Sequence, residues 1–177
     1  MSQMAKSLAR SGSPSHEVKA SAPRKGAGGP GDVGAEGLVE ACVQAGLLVE
    51  PRPGLRAGLL IQSLKTGLPI RELDDLQRHL DVPIEQLAPM LGISRATLHR
   101  RKVSGRLDAA ESERVLRFAR LLGRAGEVME SLEAGRRWLT SRQFGLGGAV
   151  PLEYAETEVG AREVEDLLGR IEYGVYS

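Results

Sequence analysis

The sequence predicts an all-α fold, and three observations carry that expectation. Hydrophobic residues make up 41% of the 177 and aromatic ones 3%, so the core is aliphatic. Leu, Ala and Val recur in periodic runs, the pattern of amphipathic helices. Helix-starting Pro, Ser and Asp and helix-stopping Gly fall at the ends of those runs. The length allows one domain or two small ones with a genuine core.

Residues 1–37 are rich in Ser, Gly, Ala, Pro and Lys and almost lack bulky apolar side chains. Such a stretch buries too little surface to offset its ordering entropy and is expected to be a disordered tail. Order should begin near Leu38, where LVEACVQAGLL gives a short apolar helix ended by Gly46 or shortly after. In PRPGLRAGLLIQSLKTGLP, Leu55, Leu59 or Leu60, and Leu64 share one face, with Gly67 as the C-cap. Then PIRELDDLQRHLDV places Pro69 at a first helical position and Leu73, Leu76 and Leu80 in a buried stripe. Cys42 reads as a small core hydrophobe, because no basic or histidine neighbour in the sequence would activate its thiol.

The stretch Leu87–Gly105, LAPMLGISRATLHRRKVSG, carries four basic side chains and no acid in a chain whose formal net charge is +1. It reads as a helix, a tight turn at Gly92 and a second helix N-capped by Ser94. Leu87, Ala88 and Leu91 face inward, Ile93 plugs the corner and Leu98 returns from the second helix. The small Ala88 lets the helices approach and Gly92 tolerates a positive φ. This helix-turn-helix, over 84–103, leaves Arg95, Ala96, His99, Arg100 and Lys102 outward or at the end of the second helix. Early outward residues of such a helix reach base edges and later basic ones hold phosphates. Ser94, Arg95, Thr97, His99, Arg100, Arg101 and Lys102 are therefore the candidate DNA contacts, with Arg95, Arg100, Arg101 and Lys102 uncompensated by acids. Two positions depart from the pattern. Pro89 requires the first helix to be short or kinked, and Arg101 stands where many such motifs place an apolar residue.

Next, DAAESERVLRFARLLGRAGEVM opens with Asp108 and Glu111 at capping-box spacing. Val115, Phe118 or Ala119, and Leu122 form its stripe, which serves either dimer contacts or the monomer core. Between Leu146 and Ser177 the charge reverses, with seven acids against Arg162 and Arg170. All three tyrosines of the chain, Tyr154, Tyr173 and Tyr176, lie there too. A segment so acidic is no DNA surface, and tyrosines suit interfaces, so a docking element is expected. Gly147 and Gly148 should permit a chain reversal. A helix from about Gly160 should bury Val164, Leu167 or Leu168, and Ile171 with its acids outside.

In this region Trp138 and Leu139, Leu146 to Gly148, Pro151 and Leu152, Thr157 and Gly160, then Leu168, Ile171 and Gly174 follow one another in a fixed pattern. It resembles the carboxy-terminal domain of the Xre/MbcA/ParS-like antitoxins. The preceding LGISRATLHRRKVSGRLDAAESERVLRFARL is similar to the same family's Xre-like helix-turn-helix, so the resemblance covers roughly Leu55 to the end. It implies a helical domain over 38–130 and a toxin-binding domain over 131–177. The implied partner is a RES-domain toxin that consumes NAD, either degrading it or transferring ADP-ribose to a protein, and whose cleft the antitoxin obstructs. The resemblance also implies operator binding that represses the chain's own operon. Gly147, Gly148, Pro151, Gly160, Arg170, Tyr173, Gly174 and Tyr176 are the candidate toxin contacts. Arg170 would meet acidic or carbonyl groups, and the tyrosines would pack on the cleft walls.

Other functions are weighed against these features. One short recognition helix reads few base pairs, so a homodimer or larger assembly is expected on DNA. The runner-up reading is a stand-alone repressor whose terminal domain dimerises or senses a small molecule. Catalysis has little in its favour. No carboxylate is spaced with a histidine or cysteine as a site would need, and GLGG lacks the strand-turn-helix setting of a phosphate cradle. A single cysteine excludes an internal disulfide, and His16, His79 and His99 are scattered, so neither metal nor cofactor is expected. The absence of an apolar stretch of membrane-spanning length or a signal-like amino terminus leads to the expectation of a soluble, cytoplasmic protein.

Overall fold

A computed structural model describes residues 37–45 and 55–175. The expectations for residues 1–36, for Gly46 and for Tyr176 lie outside those described residues. The helices are α1 (Leu38–Ala45), α2 (Leu55–Thr66), α3 (Ile70–Leu80), α4 (Ile84–Met90), α5 (Arg95–Ser104), α6 (Ala109–Val128), α7 (Leu132–Thr140), α8 (Pro151–Tyr154) and α9 (Glu158–Glu172), with a 3-10 turn at Phe144–Leu146. There is no strand among the described residues; two isolated bridges, Pro69 with Arg106 and Gln143 with Ala149, tie loops together. No helix among them is long and apolar enough to cross a membrane.

The sequence explains why α6 is the central helix. Its capping box forms as expected: the Asp108 carboxylate accepts the Glu111 N–H and the Glu111 carboxylate accepts the Asp108 N–H, each at 2.8 Å. Its burial exceeds a single stripe. Val115, Leu116, Phe118, Ala119, Leu121, Leu122 and Ala125 are all buried, because α1, α2, α3, α7 and α9 surround it. Of the two uses open to this stripe, the monomer core takes it.

Close approach lets so many helices share one axis. A β-carbon on Gly123 would sit 2.4 Å from the Cys42 carbonyl oxygen of α1, and one on Gly135 of α7 would sit 2.4 Å from the Gly126 nitrogen. Any larger residue would push these helices off α6. A buried carboxylate then fixes α1: Glu72 of α3 accepts the Gly37 and Val39 N–H groups, both at 2.8 Å, at the start of that helix. Cys42 lies partly buried on α1, and burial pushes its thiol pKa up, as suits a core residue rather than a nucleophile.

Leu73, Leu76 and Leu80 bury as the periodicity predicts. Pro69 stands one position earlier than expected, as the extended N-cap of α3. Gly67 takes φ +85° just after α2. Leu87, Ala88, Leu91 and Ile93 are buried and Leu98 is partly so. Pro89 sits in the last turn of a seven-residue α4, where few helical hydrogen bonds remain to be lost.

Candidate DNA-reading and partner-docking surfaces

The turn between α4 and α5 is built as the sequence requires. Gly92 has φ +67°. Arg114 of α6 donates to the Leu91 carbonyl at 2.7 Å and so pins the turn to the core. Ser94 caps α5: its hydroxyl oxygen accepts the Thr97 N–H at 3.1 Å and its hydroxyl donates to Thr97 Oγ1 at 3.0 Å. Ser94 and Thr97 thus first serve each other, setting the start of the recognition helix.

Arg95, Ala96, His99, Arg100 and Lys102 are exposed, as expected. They do not share one direction. Arg95 and Lys102 border an open groove of about 670 Å³ against α4, with Ile84, Pro89 and Leu98 on its walls, whereas His99 and Arg100 lie off it.

Arg101 corrects the expectation of four uncompensated cations. Its guanidinium donates to Glu111 Oε2 and to Asp108 Oδ2, both at 2.7 Å, and its side chain is 19% exposed. The hydrogen bond with Glu111, whose side chain is 5% exposed, holds the Arg101 pKa above the usual arginine value. Arg101 therefore occupies the slot where many such motifs keep an apolar residue, and the capping-box carboxylates of α6 neutralise it there. Its neighbours carry the uncompensated charge.

At the other end of the chain, the turn after α7 is hydrogen-bonded along its length. The Gln143 N–H donates to the Ala149 carbonyl and the Gly148 N–H to the Gln143 carbonyl, both at 2.9 Å. Gln143 Nε2 donates to the Trp138 carbonyl at 2.9 Å, and Arg142 Nη1 to the Gly148 carbonyl at 3.0 Å. Gly147 and Gly148 take φ +64° and +84°, making the expected reversal. Pro151 is buried at the first position of α8.

The helix expected from about Gly160 begins two residues earlier, at Glu158, and Thr157 caps it by accepting the Gly160 N–H at 3.0 Å. A β-carbon on Gly160 would lie 1.8 Å from the Tyr154 carbonyl oxygen, so this glycine is a packing requirement. Val164 and Leu168 are buried, while Leu167 and Ile171 are partly exposed. At the far end the Gly174 N–H donates to the Ile171 carbonyl and the Val175 N–H to the Arg170 carbonyl, with φ +68° at Gly174. This is a Schellman stop. The helix ends at Glu172, so Tyr173 follows it as the C-cap and does not continue a stack on Arg170.

Of the candidate docking residues, Pro151 and Gly160 are interior, and Gly147, Gly148 and Gly174 shape the backbone. Arg170 and Tyr173 present side chains outward, Tyr173 at 79% exposure. The acidic surplus is smaller than the sequence count. Arg117, Arg120 and Arg124 of α6 meet Glu158, Glu165 and Glu172 of α9 at 2.9, 3.9 and 2.5 Å. Glu153, Glu156, Glu163 and Asp166 have no ion pair among the described residues. Sequence reasoning missed Phe144, which is 100% exposed on the 3-10 turn. The available signal was a phenylalanine outside every periodic run, beside glycines, in a chain whose other phenylalanine belongs to the α6 stripe. Among the described residues no group of His, Cys, Asp and Glu has the makeup of a metal site.

A basic, outward recognition helix on a helical core, joined to a second unit that leaves aromatics and carboxylates uncovered, defines a DNA-binding regulator with a protein-docking domain. Comparison makes this specific. Residues 59–120 match the family model of the antitoxin Xre-like helix-turn-helix domain, and residues 124–174 match that of the antitoxin Xre/MbcA/ParS C-terminal toxin-binding domain. The chain belongs to the Xre/MbcA/ParS antitoxin family, bearing out the resemblance seen in its sequence. It is similar to Antitoxin Xre of Yersinia enterocolitica, at 35% identity over 128 residues, 71% of this chain and 86% of that protein. It is also similar to Antitoxin Xre of Photorhabdus laumondii, at 31% identity over 116 residues, 64% of this chain and 78% of that protein. The two matched regions meet inside α6, so that helix is common to both.

Proposed function

We propose that this antitoxin neutralises a RES-domain toxin by obstructing its NAD cleft and represses its own operon through α5, acting in the cytoplasm as a homodimer or larger assembly, without a cofactor or a reaction of its own. In this reading the helical part to residue 130 holds operator DNA, and residues 131–177 hold the toxin. One observation carries it: α6, about 30 Å long at 1.5 Å per residue, bears the recognition helix at its amino-terminal end and the matched toxin-binding region beyond it. Both surfaces are thus presented by one core. The uncompensated Glu153, Glu156, Glu163 and Asp166 suit a cleft built for a pyrophosphate, which is electropositive.

The test is co-expression with the protein encoded beside it. NAD consumption and ADP-ribose transfer by that protein are measured with and without the antitoxin, together with a gel shift on the shared promoter. Suppressed NAD consumption and a retarded promoter support the proposal. An adjacent protein that leaves NAD untouched and transfers no ADP-ribose sinks the RES assignment, and a promoter that stays unbound sinks autorepression.

A further inference from the structure

We propose that Phe144 is the anchor by which the chain grips its toxin, inserted into an apolar pocket on that partner. The inference rests on the antitoxin reading above and names the contact within it. Full exposure of a phenylalanine leaves a large apolar ring in water, and nothing among the described residues covers it. Backbone structure, rather than a frayed end, holds it there. The Gly147 N–H donates to the Phe144 carbonyl at 3.0 Å and the Leu146 N–H to the Gln143 carbonyl at 3.1 Å. Gln143 is fastened in turn to Ala149 and Trp138.

The ground beside the ring is already taken. Leu167 of α9 lies over Gly145, so close that a β-carbon there would stand 2.6 Å from Leu167 Cδ1. With the backbone fixed in advance, only the two side-chain torsions of the ring remain to be ordered on binding, a small cost for the apolar area gained. Its place identifies the occupant. Phe144 lies within residues 124–174, the region matched to a toxin-binding domain. The helix beside it carries Glu163, Asp166 and Arg170 one turn or less from Leu167, all exposed, and the two carboxylates have no ion pair among the described residues. Arg142, two residues before the ring, and Arg170 balance these two carboxylates, so the ring is an apolar knob among charges of both signs, which fits an apolar pocket with a polar rim.

The experiment uses the full chain and the toxin encoded beside it. Phe144→Ser, Phe144→Leu and, as a control, Val159→Ser are compared by calorimetric titration. Val159 is 73% exposed on the first turn of α9. Phe144→Ser should weaken binding by about 30-fold or more, the scale of a hot-spot truncation, and release toxin activity in proportion. Phe144→Leu should recover part of the loss, and Val159→Ser should stay within about twofold. Thermal unfolding and the gel shift should be unchanged in all three. Equal binding by wild type and Phe144→Ser overturns this inference alone, whereas a wild-type protein that binds no toxin overturns it together with the antitoxin reading. Light scattering gives a further outcome: if Phe144→Ser abolishes self-association while toxin affinity stays intact, the ring is a contact between copies of this chain, and the proposal fails.

Discussion

Arg101 and Arg100 are adjacent in sequence and have opposite fates, which mutation can read directly. Arg100→Ala and Lys102→Ala should leave thermal stability unchanged, while each flattens the salt dependence of DNA binding by up to about one unit for a lost phosphate contact. Arg101→Ala should lower the unfolding midpoint more than either, since it leaves the nearly buried Glu111 carboxylate with its capping-box N–H but without its cation. If Arg101→Ala instead changes the salt slope and leaves the midpoint alone, its pairing with α6 is not what matters. Gly160 makes a second residue-scale case. Gly160→Ala should cost about 3 kcal/mol, the upper end of overpacking penalties, and lower Tm by roughly 6–12 °C. An unchanged Tm by circular dichroism would contradict the tight approach of α9 to Tyr154. Neither outcome could be read from sequence: the unusual place of Arg101 is visible there but its carboxylate partners are not, and Gly160 counts as one more contact.

Elements were more legible than single side chains. Leu73, Leu76 and Leu80, the Ser94 cap and the Asp108 capping box follow from local spacing, and each forms. Contacts distant in sequence were not legible. The tie of Glu72 to α1 spans 33 residues and depends on a carboxylate that periodicity would assign to solvent. This tie can be tested through Cys42. In the wild type the thiol should react slowly with iodoacetamide, because it is partly buried and burial raises its pKa. Glu72→Ala removes the acceptor of two backbone N–H groups, worth about 1.5–3 kcal/mol for a charged hydrogen-bonding group. Local opening of α1 should then speed labelling by roughly tenfold or more. Identical labelling rates would show that the two Glu72 hydrogen bonds are not what keeps α1 closed.

For the whole molecule, the unequal ends of α6 make separable functions testable. Removing residues 170–177 takes away Arg170, Tyr173 and the Glu172 partner of Arg124. An ion pair this exposed is worth about 1 kcal/mol or less, so the fold and promoter binding should persist while toxin activity is released. If NAD consumption stays fully suppressed at equal concentration, inhibition resides upstream, around Trp138 to Pro151 and the Phe144 ring. On DNA the assembly should occupy two half-sites separated by about one helical turn or a multiple of it. A monomer on the operator in light scattering would contradict that. The helix-turn-helix spacing made one end visible in the sequence and the terminal motif pattern the other, whereas the exposed ring lies in no motif and shows only in the fold.

The sharing of α6 has a consequence for how such a gene can decay. A stop codon between α6 and α9 would leave Leu121, Leu122 and Ala125 without the helices that complete their surroundings, and the remaining chain would be too unstable to hold the recognition helix. A frameshift in the second half therefore removes DNA binding together with toxin binding. Selection on either function guards the reading frame of the other.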